Sequence, residues 1–111
     1  MFGIREEAIE EFPMPGVTRR ILTYNKYLMV MEGHLAKGTG VDHAHPHTQI
    51  TYVVSGDLEV WSEGEYRVLH AGDCVVAEPN VPHKVNAKTD VVLIDTFTPC
   101  REDYIPARDK E

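Results

Sequence analysis

The sequence predicts an all-β fold, an antiparallel sandwich or barrel in a single domain, and three observations carry that expectation. Stretches rich in β-branched and aromatic residues follow one another from Val17 onward. Turn-forming residues separate them at short intervals, and little of the chain has helical periodicity. At 111 residues the chain suits one compact domain with one core and one site.

The predicted strands are Thr18 to Thr23, Tyr27 to Leu35, Gln49 to Val54, Leu58 to Ser62, Tyr66 to Leu69, Cys74 to Ala77, His83 to Asn86 and Val91 to Phe97. Ser55-Gly56-Asp57 and Glu63-Gly64-Glu65 supply glycine for hairpins, so antiparallel neighbours follow. Glu78-Pro79-Asn80 with Pro82 interrupts regular pairing. Ile4, Ala8 and Phe12 recur at i, i+4 and predict a helical turn or arm at the N-terminus. The expected core runs over about 17–100, and the charged segment after it, with Pro106, reads as a surface tail of about 101–111.

Composition excludes several function classes. No apolar run approaches the roughly 20 residues that span a bilayer, so no membrane association is expected. A net charge of −7 without a Lys/Arg cluster beyond Arg19-Arg20 speaks against nucleic acid. The first twelve residues carry four glutamates and none of the features of a secretory signal, which makes a cytoplasmic protein the expectation. Cys74 and Cys100 are then expected to remain reduced thiols.

The chemistry concentrates in histidines. His43, His45 and His47 lie close together, Gln49 follows, and His83 sits beyond two predicted hairpins. Side chains two apart on an extended chain share a face, so His43, His45 and Gln49 can converge, and an antiparallel meander can return His83 beside them. Three imidazole nitrogens and one amide oxygen suit a divalent first-row metal. A short His-rich tract alone also fits a solvated loop. His34 and His70 have no such company and read as surface or half-buried residues.

The spacing His43-x-His45-x3-Gln49-x6-Gly56 resembles the first motif of the cupins, with glutamine where glutamate often stands. Gly72-Asp73, Pro79, Pro82, His83 and Asn86 resemble the second. The resemblance implies a single-domain double-stranded β-helix, a jelly-roll-like antiparallel barrel. It has departures: Gly38 lies one residue nearer His43 than usual, and the glycine that normally precedes the second-motif histidine is replaced within Asn80-Val81-Pro82.

A narrower resemblance extends from Val17-Thr18-Arg19-Arg20-Ile21-Leu22 through His45-Pro46-His47-Thr48-Gln49-Ile50 to the run Asp95-x-Phe97-x-Pro99-x-Arg101-Glu102-Asp103. It is to the KdgF-type cupins of pectin and alginate breakdown. The resemblance implies metal ligands at His43, His45, Gln49 and His83, and active-site residues at Asp95, Phe97 and Arg101. Thr48 departs from the usual glutamate but should point away from the Gln49 face. One divalent ion is implied, whether zinc, nickel, manganese or iron, together with a homodimer. The implied reaction is the opening of cyclic 4,5-unsaturated monouronates to linear 4-deoxy-5-keto uronates. Asp95 is then the acid/base, Arg101 a carboxylate clamp and Phe97 an apolar wall.

Two other readings stay open on the sequence. A metal-dependent dioxygenase would use a related histidine shell with a redox-active ion. A non-catalytic cupin would bind a sugar or another small molecule without turnover. Without the resemblance, Asp95 and Arg101 also read as a structural ion pair at the rim.

Overall fold

A computed structural model describes residues 1–110. Its strands are Glu11–Met14 (β1), Val17–Tyr24 (β2), Met29–Leu35 (β3), Gly40–His43 (β4), Thr48–Ser55 (β5), Leu58–Ser62 (β6), Glu65–Leu69 (β7), Cys74–Ala77 (β8), His83–Ala87 (β9) and Val91–Thr98 (β10). They form an antiparallel sheet in the order β1-β2-β3-β10-β5-β8 and a second in the order β4-β9-β6-β7. The architecture is the all-β one expected, with one qualification. No ladder joins the two sheets among the described residues, so the barrel takes the form of a flattened sandwich.

Most expected strands differ from the observed ones by a residue at an end, and the exceptions have local causes. Tyr27 and Leu28 fall outside β3 because the Asn25 side chain accepts hydrogen bonds from both their backbone N–H groups, at 2.8 and 3.1 Å. Such an Asx turn closes the β2–β3 hairpin. The apolar spacing at the N-terminus yields only a 3-10 turn over Arg5–Glu7, because Ile4 and Phe12 find nothing to cover them. Phe12 belongs instead to β1, which Pro15-Gly16 folds back onto β2. Strand β4, unexpected from the sequence, pairs with β9.

Two of the turns require their residues. Glu63 and Gly64 both have positive φ, at 50° and 81°, as a two-residue type I′ hairpin between β6 and β7 demands. Gly56 has φ +89°, and a Cβ there would lie 2.1 Å from the Asp90 carbonyl oxygen.

Alternation along the strands decides what the two sheets enclose. Across the six-stranded sheet, register aligns Ile21, Met31, Asp95, Thr51 and Val75 in one row. Arg19, Gly33, Leu93 and Val53 form the row on one side. Met29, Phe97, Gln49 and Ala77 form the row on the other. One apolar cluster, of Leu35, Val53, Leu58, Val60, Ala87, Val91 and Leu93, closes one end. A second, of Ile21, Met29, Met31, Phe97 and Cys100, closes the other. The chain end read as a surface tail is in part packed, since Tyr104 and Ile105 lie against this second cluster and Pro106 is buried. Their apolar surface finds cover beside Phe97, which the high charge of the segment conceals in the sequence.

The N-terminal arm is pinned by charge. Arg5 donates to Glu32 of β3 through Nε and Nη2, at 2.8 and 2.9 Å, and His34 Nε2 approaches the same carboxylate at 2.8 Å. Hydrogen bonding from Arg5, helped by His34 and opposed by burial, holds the Glu32 carboxyl down to about 2. A folded-state value below the unfolded one stabilises the fold above the ordinary pKa, and that contribution is lost as pH falls through the folded value. Glu32→Gln should therefore lower the melting temperature at pH 7, and its gap to the parent should close between about 4.5 and 2. Thermal melts across that range check this, and a gap independent of pH would contradict it.

Candidate metal centre and active site

The residues of the centre come from both sheets and from the segment that crosses between them. His43 ends β4, Gln49 lies near the start of β5 in the opposite sheet, and the chain bends at Pro46 and His47 on the way. The convergence of His43, His45 and Gln49 thus arises from a crossing between sheets, and alternation along one extended segment is not its cause. His83 opens β9 directly opposite His43.

The crossing segment is anchored. Asn80 N–H donates to the His45 carbonyl at 2.7 Å, and Asn80 adopts φ +62°. Asparagine tolerates that left-handed conformation. It supplies the backbone freedom for which a glycine was expected in this motif.

One ligating atom from each of His43, His45 and His83 lies within 4.8 Å of the others. His45 Nδ1 donates to the His47 carbonyl at 3.0 Å, and His83 Nδ1 to the Val81 carbonyl at 3.3 Å. A carbonyl oxygen only accepts, so Nδ1 carries a proton in both rings, and in the neutral imidazole this leaves the lone pair on Nε2. His83 Nε2 is buried without a partner. Burial first, then the charges of His83, His45 and Arg101, pushes His43 down to about 4. Burial likewise lowers His83. These rings are held neutral, the form that binds a metal.

A relay behind the centre orients Gln49. Thr51 Oγ1 donates to Asp95 Oδ1 at 2.5 Å, because an ionised carboxylate only accepts. The Thr51 lone pair then receives Gln49 Nε2 at 3.0 Å, which turns Gln49 Oε1 toward His45 Nε2 at 2.8 Å. Two acceptors facing each other at this distance require a proton or a cation between or beside them. Neighbouring ligands about 2.1 Å from one divalent ion are themselves separated by about 3 Å at right angles. The orphaned His83 nitrogen and the paired acceptors therefore fit a metal held by three imidazoles and one amide oxygen.

Beside the centre is a cavity of about 190 Å³, on the scale of a single sugar ring. His43, Gln49, His83, Thr51 and Asp95 line it, as do Arg19 and Tyr104. Asp95 is 6% exposed, and burial lifts its carboxyl to about 6 against the hydrogen bonds of Thr51 and Gln49.

Phe97 and Arg101 stand farther back than expected. Phe97 is 2% exposed and does not line the cavity; its ring packs 6.0 Å from that of His45. Arg101 is buried and pairs with Asp103, Nε to Oδ1 at 3.0 Å and Nη2 to Oδ2 at 2.8 Å, and not with Asp95. Its Nη1 is buried without a partner. Its guanidinium stacks 3.9 Å from the centre of the Tyr104 ring. Thr48 is half-buried and points away from the Gln49 face, as alternation requires.

His34 and His70 pair with Glu32 and Asp57, away from the centre. Cys74 is exposed and Cys100 buried, both as free thiols. Thr51, Arg19 and Tyr104 line the cavity as well, outside the expected set of site residues. Inward parity beside Gln49 marks Thr51, and inward parity between Val17 and Ile21 marks Arg19. Nothing local marks Tyr104.

The family model of the cupin domain matches residues 26–97. The chain belongs to the cupin family. Within it, the pectin degradation protein KdgF of Dickeya dadantii is 44% identical over 93 residues, covering 81% of this cupin and 84% of that protein. A solved structure of KdgF from a Halomonas species has a TM-score of 0.88 at 36% identity, covering 95% of this chain and 100% of that one. An RmlC-like cupin from Shewanella frigidimarina has a TM-score of 0.89 at 39% identity, covering 94% and 95%. In this cupin His43, His45 and His83 could hold a metal ion, and no helix among the described residues is long and apolar enough to cross a membrane.

Purified protein should contain about one divalent ion per chain, and His45→Ala or His83→Ala should lose it. Gln49→Glu should retain it, since an oxygen donor remains. Elemental analysis of the folded variants checks this; full occupancy in both histidine variants would contradict the assignment.

Proposed function

We propose that this cupin opens cyclic 4,5-unsaturated monouronates to linear 4-deoxy-5-keto uronates in pectin or alginate degradation. The observation that carries the reading is a neutral, metal-competent donor set beside a sugar-sized cavity that also exposes a buried carboxyl group. Its likeness to proteins named KdgF supports the substrate class.

The reaction needs no redox partner. The substrate is an enol ether within a hemiacetal ring: the anomeric hydroxyl loses its proton, the ring C–O bond breaks, and C4 of the resulting enolate gains a proton. A divalent ion on His43, His45, His83 and Gln49, whether zinc, nickel, manganese or iron, would supply Lewis acidity toward the developing enolate charge. All four donors are neutral, so the ion's charge is left uncancelled by its ligands.

Asp95 is the proton-exchanging residue in this reading. Its Oδ1 is held by Thr51, and the residue lines the cavity in which the substrate carbon would sit. Arg101 contributes positive charge and one free donor, Nη1, because Asp103 occupies its other edge. Phe97 acts from behind, holding the His45 ring in place.

The exposed outer face of Ile50, Tyr52, Val54 and Val76 on β5 and β8 supports a homodimer, and a cytoplasmic location belongs to the same reading.

Absorbance of the conjugated double bond of an unsaturated galacturonate or mannuronate tests the reading. The signal should decay with the protein present and a linear keto acid should accumulate. Asp95→Asn should keep its metal and its fold and turn over about 10²- to 10⁴-fold more slowly. An undiminished signal with metal-loaded wild-type protein would overturn the proposed activity.

A further inference from the structure

Arg19 is an inward-facing charge on a strand whose other inward positions are apolar. In β2, Val17 packs against one apolar cluster and Ile21 is buried in the other, with Arg19 between them on the same face. Its neighbour Arg20 points outward, where Glu10 and Glu32 receive it. A charge placed between core positions costs stability unless it is paired, so its partners matter.

The residue paired with it across the ladder carries no side chain. Directly across the ladder stands Gly33, where an added Cβ would approach Leu93 Cδ1 to 2.9 Å. Arg19 and Gly33 both line the cavity beside the metal centre. The Arg19 guanidinium lies 4.2 Å from the centre of the Tyr104 ring, whose other cationic contact is Arg101 at 3.9 Å. Stacking fixes the plane of the guanidinium and leaves its edges free to donate.

Those edges are only partly used. Arg19 Nε donates to Glu11 at 3.2 Å, and neither Nη1 nor Nη2 has a hydrogen-bond partner among the described residues. Arg101 is the reverse case: Asp103 takes Nε and Nη2, and Arg101 does not line the cavity. Of the two arginines, Arg19 is the one with a terminal donor pair available at the cavity wall.

We propose that Arg19 binds the carboxylate of the substrate through Nη1 and Nη2, as the residue that makes the site select acidic sugars over neutral ones. The proposal rests on the uronate reading above and revises where recognition of the acid group comes from. Planar two-point donation matches a carboxylate, and a stacked, pre-positioned guanidinium loses little freedom in making it. The formal net charge of −7 opposes capture of an anion, and a guanidinium at the cavity adds a local positive charge to that of an ion held on the histidines.

The test compares galacturonate with galactose, which differ by the acid group, by titration calorimetry on metal-loaded protein. Wild type should favour galacturonate by about tenfold to a hundredfold, the range of one charge-assisted contact. Arg19→Met should bring the ratio close to one while leaving galactose binding unchanged. Arg19→Lys, which keeps the charge and the contact with Tyr104, should retain only part of the preference, and it decides the matter if the methionine variant does not fold. A merely structural Arg19 would not move the ratio. A full wild-type preference in either variant overturns the Arg19 assignment and leaves the uronate reading standing. A wild type without preference for the acid, and without turnover of the unsaturated uronate, overturns both.

Discussion

The hydrogen-bond relay from Asp95 through Thr51 to Gln49 sets the direction of the polar groups between the sheets, and the donor set depends on it. A carboxylate can only accept, so the Thr51 proton is committed to Asp95, its lone pair to the Gln49 amide nitrogen, and the Gln49 oxygen to His45. Each group is buried, and a reversed amide would turn its oxygen toward Thr51, whose proton Asp95 already holds, leaving that bond unmade at a cost of about 1–3 kcal/mol. Because orientation propagates outward from Asp95, that carboxyl has a positioning role alongside its proposed role with substrate.

Burial explains both how the relay is stable and why it is reactive. The two apolar clusters bracket the polar row, which shields its hydrogen bonds from water and strengthens them. The same exclusion of water lifts the Asp95 carboxyl and keeps the His43 and His83 rings neutral. Stability alone would favour apolar residues at these inward positions. Polar groups there point to a site, and Arg19 breaks the apolar pattern of β2 in the same way.

Much of this was legible in the sequence because strand alternation and turn chemistry are local. The limits of β6 and β8 follow from residue pattern alone, and inward parity places Leu93, Asp95 and Phe97 on one buried face as expected. Register across the sheet is not local, and it is what sets Thr51 beside Asp95 and Gly33 beside Arg19. The histidine spacing pointed to convergence through a mechanism that differs from the actual one, since Pro46 and His47 carry the chain from one sheet to the other. Arg101 looked available in the sequence because nothing there announces that Asp103, two residues on, folds back onto it. Tyr104 was hidden among charged residues that give its segment the composition of a solvent-facing tail.

The centre depends on whether the ligating atoms of the three histidines and Gln49 meet on one ion. Anomalous diffraction from crystals grown with zinc or nickel measures this directly. It should give one strong peak per chain, within coordination distance of His45 Nε2, His83 Nε2, a ring nitrogen of His43 and Gln49 Oε1, with the Gln49 nitrogen still on Thr51. A peak elsewhere, or an ion at the histidines with the Gln49 amide turned away, would contradict it.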